Sequence, residues 1–363
     1  MDETINHSWY LAARPYGMPK LTDFELRQSP IPSPGPGQVL IASRYHSLDP
    51  YMRLRLNSAD SVVGTLMVGD AVGEVIESRA AGFVAGDIAM GNIGWQEYGV
   101  LDAGLLRKID PSVAPISTSL GILGMPGLTA YFGLFEIGRP IPGDTVVVSA
   151  ASGAVGAVVG QLAKLSGCRV IGIAGTDEKI NYVVDELGFD AGVNYKSEDI
   201  PTRLGTFCPD GIDIYWDNVG GELADAAIEK IASGGRAVIC GQIAQYNATS
   251  PHVAEPTGTH GRVLGRPIRR PQFSCAEPPL PSGPRRCSQV QGGRGSGDRK
   301  LAGCIYRVAQ WGQLRQASRT VEINSQSTAQ RVSGRLTAPL RRAASSSAKP
   351  APRGQFPQSR NRS

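Results

Sequence analysis

The run QVLIASRYHSL, residues 38–48, alternates apolar and polar positions with the period of a half-buried strand. Shorter pieces of the same kind recur at 72–77, 87–90 and 97–101, separated by glycine-containing turns. This spacing predicts a largely β domain at the N-terminal end. After Pro115 the pattern lengthens into a predicted helix over 117–135, and Gly138, Pro140, Pro142 and Gly143 mark a connection. From Thr145 strand and helix alternate. TVVVS (145–149) is a continuous β-branched run, as expected of a strand covered on both faces. A glycine turn and a helix over 154–166 follow, then a strand at 169–173 and a helix over 177–187 that ends at Gly188. IDIYW (212–216), a helix over 222–232 and the strand RAVIC (236–240) continue the series. Repeated strand–helix units predict a doubly wound parallel sheet, so the fold class is α/β.

Composition changes that picture at one place. Residues 1–250 carry 17 Lys and Arg against 28 Asp and Glu, a balance of −11, whereas residues 251–363 carry 20 against 4, a balance of +16. Arg, Pro, Gly and Ser dominate after residue 250, and only 301–314 has some apolar content, without a period. Such text predicts a disordered basic tail. Two uncharged stretches, 111–135 and 145–163, approach membrane-spanning length. Pro115 and Pro126 interrupt the first, and the second reads as strand, turn and helix, so neither predicts a span. No basic segment followed by an apolar run opens the chain, which argues against a secretory signal. The six cysteines, at 168, 208, 240, 275, 287 and 304, have no CxxC spacing and read as reduced thiols of a cytoplasmic protein.

The chemistry centres on SAASGAVG (149–156). Gly153 and Gly156 take the second and third glycine positions of a dinucleotide fingerprint, and Ala151 stands at the first. A missing Cβ lets the backbone approach a pyrophosphate, and the N–H groups of Ser152, Ala154 and Val155 then face the anion at a helix N-terminus. Tight strand–helix packing is the plainer explanation of such a turn. Its place between a buried-type strand and a helix favours the nucleotide reading. The second strand ends IAGTDEK (173–179), with Gly175 and Thr176 where NAD-specific sites place a ribose-binding carboxylate. That leaves room for a 2′-phosphate, which Lys179 can meet as a point charge. Asp177 and Glu178 count against this unless they serve the helix N-terminus. NADPH is the expected cofactor.

The stretches SLDPYMR (47–53), GWQEY (94–98), GMPGLTAY (124–131), SAASGAVG (149–156), DGIDIYWDNVGG (210–221) and CGQIAQYN (240–247) occur in this order. Over residues 9–247 the chain resembles the zinc-independent branch of the medium-chain dehydrogenase/reductases, the alkenal double-bond and prostaglandin reductases. The resemblance implies a GroES-like β domain (1–122), an incomplete Rossmann domain (123–248) and an atypical tail (249–363). It also implies hydride transfer from NADPH to the β-carbon of an α,β-unsaturated aldehyde or ketone, with a related quinone reductase as the alternative. Tyr246 matches the tyrosine that meets the substrate carbonyl, and a phenol can donate there without carrying charge. Tyr51, with a catalytic or pocket role, and Arg53 match the substrate wall, where domain packing explains them equally well. Met125, Thr129, Tyr195, Asn218, Cys240 and Gly241 match cofactor-side positions. No cysteine precedes Cys168 and only four histidines occur, at 7, 46, 252 and 260, so zinc ligation is not expected. His46 reads as a strand residue with a local hydrogen bond.

The resemblance stops after Asn247. Arg- and Pro-rich text beyond a clean boundary is the expected signature of a shifted reading frame. It puts the homodimer implied by the resemblance, and activity itself, in question. A different class of function, nucleic-acid attraction by the basic tail, finds no aromatic interleaving or known module in support, so no specific nucleic-acid partner is expected.

Overall fold

The computed structural model describes residues 5–59, 61–249 and 320–322. Apart from the strand residues 320–322, the predicted disordered tail, with the patch at 301–314, lies outside the described residues.

The N-terminal part is antiparallel. Strands β1 (Ile5–Leu11) and β2 (Phe24–Pro30) form a two-stranded ribbon. A second sheet holds β3 (Gln38–Ser47), β4 (Ala71–Ser78), β5 (Ile88–Gly91), β6 (Tyr98–Asp102) and β7 (Arg107–Ile109). Along one edge, the first half of β3 pairs with β6 and the second half with the backbone of β13 (Thr320–Glu322). Val39, Ile41, Ala71, Val75, Ala89 and Ile93 form its core. The alternation read at 38–48 is therefore the inward face of β3. After β3, Pro50 opens the short helix α1 (Pro50–Arg55), where its fixed φ and missing N–H cost nothing.

The predicted helix over 117–135 is a 3-10 turn at Ile116–Leu120, then α2 (Met125–Phe132), then a π-turn at Gly133–Gly138. Gly121, at φ −111° and ψ −111°, leaves the helical region and breaks the run. The parallel sheet follows, with β8 (Thr145–Ser149), β9 (Arg169–Ala174), β10 (Ala191–Asn194), β11 (Ile212–Asp217) and β12 (Ile231–Ile239) in the order β10-β9-β8-β11-β12. Helices α3 (Gly156–Leu165), α4 (Asp177–Asn181), α5 (Ile200–Phe207) and α6 (Gly221–Ile228) connect the strands. Side chains of β8 alternate between two cores. Val146 and Val148 join Ile214, Trp216 and α3, whereas Val147 joins Ile171, Tyr215, Leu204 and Ala227. A strand buried on both faces has no reason to alternate polarity, which is why TVVVS is uniformly apolar.

Helix α3 lies close on the sheet because Gly160 leaves room for the Phe189 ring; a Cβ there would overlap it. The helix predicted over 222–232 ends instead at Ile228, and β12 begins at Ile231, opposite Ile212 of β11. The helical pattern of AAIEKIA is overridden by strand pairing.

Candidate active site

Strand order reverses on either side of β8, so a crevice opens outside the carboxyl ends of β8 and β11, where doubly wound sheets bind ligands. The turn after β8 forms one wall. Ala150 adopts φ +48°, left-handed for a residue with a Cβ, and this kink reverses the chain into the glycine turn. Its carbonyl accepts from Gly153 N–H at 2.9 Å. A Cβ on Gly153 would sit 3.1 Å from that oxygen, and one on Gly156 nearer still. Ala151 is fully buried, and its methyl faces Gly172 of β9, where any Cβ would meet it at 2.9 Å. Alanine at the first fingerprint position thus fills space that the second strand leaves open. Among the described residues, no backbone carbonyl receives the N–H groups of Ser152, Ala154, Val155 and Gly156. Four donors crowd one glycine-lined turn at the start of α3, a cradle that a pyrophosphate fits.

Gly175 and Thr176 follow β9. A Cβ on Gly175 would meet the Tyr195 ring at 2.9 Å, which puts that half-exposed tyrosine beside the turn. Thr176 caps α4 by accepting the Lys179 N–H at 3.3 Å. Lys179 is itself exposed. The Asp177 carboxylate accepts from Asn194 Nδ2 at 2.6 Å and belongs to the α4–β10 junction.

Asn218 follows β11 and is held on three sides. Its Nδ2 donates to the Ser149 carbonyl at 2.7 Å, its N–H to Ser149 Oγ at 2.8 Å, and its Oδ1 accepts from Trp216 Nε1 at 3.1 Å. Beyond β12, Cys240 and Gly241 donate their N–H groups to the Asp217 carbonyl at 2.8 and 3.0 Å. Tyr246 stands just after the 3-10 turn Ile243–Gln245, half-buried, and its hydroxyl accepts from the Gln242 N–H at 3.3 Å. Met125 and Thr129 lie on the first turns of α2, the former 37% exposed. Tyr51 and Arg53 lie on α1; the Arg53 guanidinium donates to Asn247 Oδ1 and to the Gly17 carbonyl, each at 2.7 Å.

Two family profiles match the chain, one described as the N-terminal domain of oxidoreductase over residues 7–109 and one as zinc-binding dehydrogenase over 154–271. The second runs past Asn247, beyond the last of the matching sequence stretches. Among relatives, the NADPH-dependent curcumin reductase of Escherichia coli is 44% identical over 249 residues, covering 67% of this chain and 72% of that protein. Prostaglandin reductase 1 of Rattus norvegicus is 45% identical over 251 residues, covering 67% and 74%. The chain belongs to the zinc-independent medium-chain dehydrogenase/reductase family. The crystal structure of CurA in complex with NADPH from Vibrio vulnificus superposes with a TM-score of 0.69 at 39% identity, covering 85% of this chain and 89% of that one.

Within this member of the family, the most connected residue of the crevice is one the sequence pattern did not single out. Asp217 is 1% exposed. Its Oδ1 accepts from Tyr215 OH at 2.9 Å, Val219 N–H at 3.0 Å, Gly220 N–H at 2.9 Å and Ser149 Oγ at 3.2 Å. With its carbonyl serving Cys240 and Gly241, it ties the ends of β8, β11 and β12 together. The available signal was a carboxylate closing an apolar strand directly before NVGG, since a buried charge must be fully hydrogen-bonded. Burial and the Asp217 carboxylate push the Tyr215 phenol well above its ordinary range. Burial, with Asp217 beside it, holds the Cys240 thiol up at about 12, and burial raises Cys168 and Cys208 to about 11, so all three stay protonated. Among the described residues no three His, Cys, Asp or Glu side chains gather in a metal-binding group, and no helix is long and apolar enough to cross a membrane.

Proposed function

We propose that the chain reduces the carbon–carbon double bond of α,β-unsaturated aldehydes and ketones with NADPH. The observation that carries this is the meeting, at the ends of β8, β11 and β12, of an anion cradle and a loop bearing a phenol. The names of the relatives support it, since they reduce curcumin and prostaglandins. NADPH, when bound, supplies the hydride that adds to the β-carbon.

The chain's own residues do the rest. The N–H groups of Ser152, Ala154, Val155 and Gly156 hold the pyrophosphate, and Ala151 and Gly153 let the backbone approach it. Lys179 and Thr176 take the 2′-phosphate, with Asp177 withdrawn by its bond to Asn194. Tyr195 lies against the adenosine. Asn218, Cys240 and Gly241 line the cofactor's path, and Met125 and Thr129 border the nicotinamide end. Tyr51 contributes the wall facing the substrate, whereas the Arg53 guanidinium is taken up by Asn247 and the Gly17 carbonyl. Negative charge develops on the substrate oxygen as the hydride arrives, and Tyr246 donates a hydrogen bond to it or delivers the proton. Accepting from Gln242 N–H makes the phenol a better donor through hydrogen-bond cooperativity. The proposal divides the enzyme into a GroES-like domain (1–122) and a Rossmann domain (123–248), followed by the basic segment 249–363. The location is the cytoplasm; the homodimer is what the family implies, and the atypical segment 249–363 counts against it.

The test is NADPH consumption by the full chain with a medium-chain 2-alkenal, run beside NADH and a quinone. Turnover with NADPH and the alkenal preferred is expected, with Tyr246→Phe lowering kcat by about 10²-fold. Faster quinone turnover, or folded protein without activity, overturns the reading.

A further inference from the structure

Tyr246 rides on a segment with little structure of its own. Its near end is fastened within the parallel-sheet domain, through Ile243 N–H to the Asn218 carbonyl at 3.3 Å and Ala244 N–H to the Val219 carbonyl at 3.0 Å. At its far end the bonds cross to the β domain. Arg53 Nε donates to Asn247 Oδ1 at 2.7 Å while Arg53 Nη2 donates to the Gly17 carbonyl at 2.7 Å, and Asn247 Nδ2 reaches Met18 Sδ at 3.4 Å. Gly17 sits at φ +73°, and a Cβ there would lie 3.9 Å from the Asn247 carbonyl, so the 17–18 turn and the 247–249 segment are neighbours.

We propose that Arg53 is a positioning residue, whose guanidinium, braced on Gly17, holds Asn247 and thereby sets the adjacent Tyr246 phenol over the crevice. The inference rests on the proposed role of Tyr246. The planar guanidinium supports it, because one rigid fork meets two acceptors that belong to different segments. A lysine has the charge but not the fork. Arg53 is thus assigned to the seam between the domains, where it acts on the substrate through Tyr246.

Five variants of the full chain test this: Arg53→Ala, Asn247→Ala, the double variant Arg53→Ala with Asn247→Ala, Asn247→Asp and Tyr246→Phe. Each is measured for kcat and KM on the alkenal, for NADPH affinity, and for amide hydrogen exchange over residues 243–248. Arg53→Ala and Asn247→Ala should each lower kcat roughly tenfold, with alkenal KM and NADPH affinity within about twofold. The double variant should lose no more than either single, because both break one tether. Exchange over 243–248 should quicken in both and stay unchanged in Tyr246→Phe. Asn247→Asp keeps an acceptor oxygen and should recover most of the kcat lost in Asn247→Ala. Additive losses, unchanged exchange, or a raised KM at constant kcat in Arg53→Ala would overturn the tether. Unchanged kcat in Tyr246→Phe overturns the role of Tyr246 and the catalytic half of this proposal with it, whereas quickened exchange in Arg53→Ala still reads the tether separately.

Discussion

At the residue scale, side chains that act by chemical type were easier to read from sequence than those that act by connection. Lys179 stands out in the sequence because a cation one turn past a glycine-threonine turn is a candidate partner for a phosphate. The structure adds that its ammonium lies on an exposed helix face while Asp177, the nearest competitor, is bound to Asn194. Lys179→Ala should therefore raise the KM for NADPH roughly tenfold, the worth of one charge-assisted contact, and leave that for NADH unchanged. Equal effects on the two cofactors would remove Lys179 from the 2′-phosphate. Asp217 and Arg53 were not legible in the same way. What defines them is the set of partners at 2.7–3.2 Å drawn from three strand ends and from a turn 36 residues away, and no local spacing announces those.

At the element scale, the strands that the pattern found are the ones with buried faces. TVVVS and the 38–48 run declare themselves through burial on two faces and on one. The ribbon β1–β2 escaped because FELRQSP has only one partly buried position, so its polarity looks like that of a loop. Helix α5 was missed although Asp199 caps it, accepting from Thr202 N–H at 3.0 Å, with Pro201 in its first turn. The 222–232 helix was overextended because propensity carries no knowledge of the partner strand. Packing makes a sharper prediction at α3. Valine at Gly160 gains a few tenths of a kcal/mol in helix propensity but must displace the buried Phe189 ring, and overpacking of this kind costs about 1–3 kcal/mol. Gly160→Val should lower the urea midpoint, and Phe189→Leu in the same chain should restore part of it. A Gly160→Val protein as stable as the parent would mean that α3 does not sit on Phe189.

At the scale of the whole molecule, the β domain carries a buried histidine whose state links folding to pH. His46 lies at the end of β3, 8% exposed, and its Nδ1 has no hydrogen-bond partner among the described residues. The partner is not the local one expected of a strand residue but the backbone of Gln96, distant in sequence. Burial is the dominant cause and depresses the imidazole from 6.5 to about 4, with the Gln96 bond opposing it. The unfolded chain therefore binds a proton between those values that the folded chain refuses, so stability is complete above pH 6.5 and declines as pH falls toward 4. A shift of this size corresponds to a loss on the order of 3 kcal/mol across the window, a large share of the stability of an ordinary domain. Asp49, close by in sequence, works with the opposite sign. Burial raises its carboxyl, so the folded state holds that proton longer and the profile flattens at its acid end. His46→Gln removes the titration while keeping a polar side chain of similar reach. Urea unfolding of the two proteins at pH 7, 6, 5 and 4.5 should show the parent losing stability steeply and the variant losing little. If both profiles fall in parallel, the pH dependence resides in the surface carboxylate pairs and His46 is not its source.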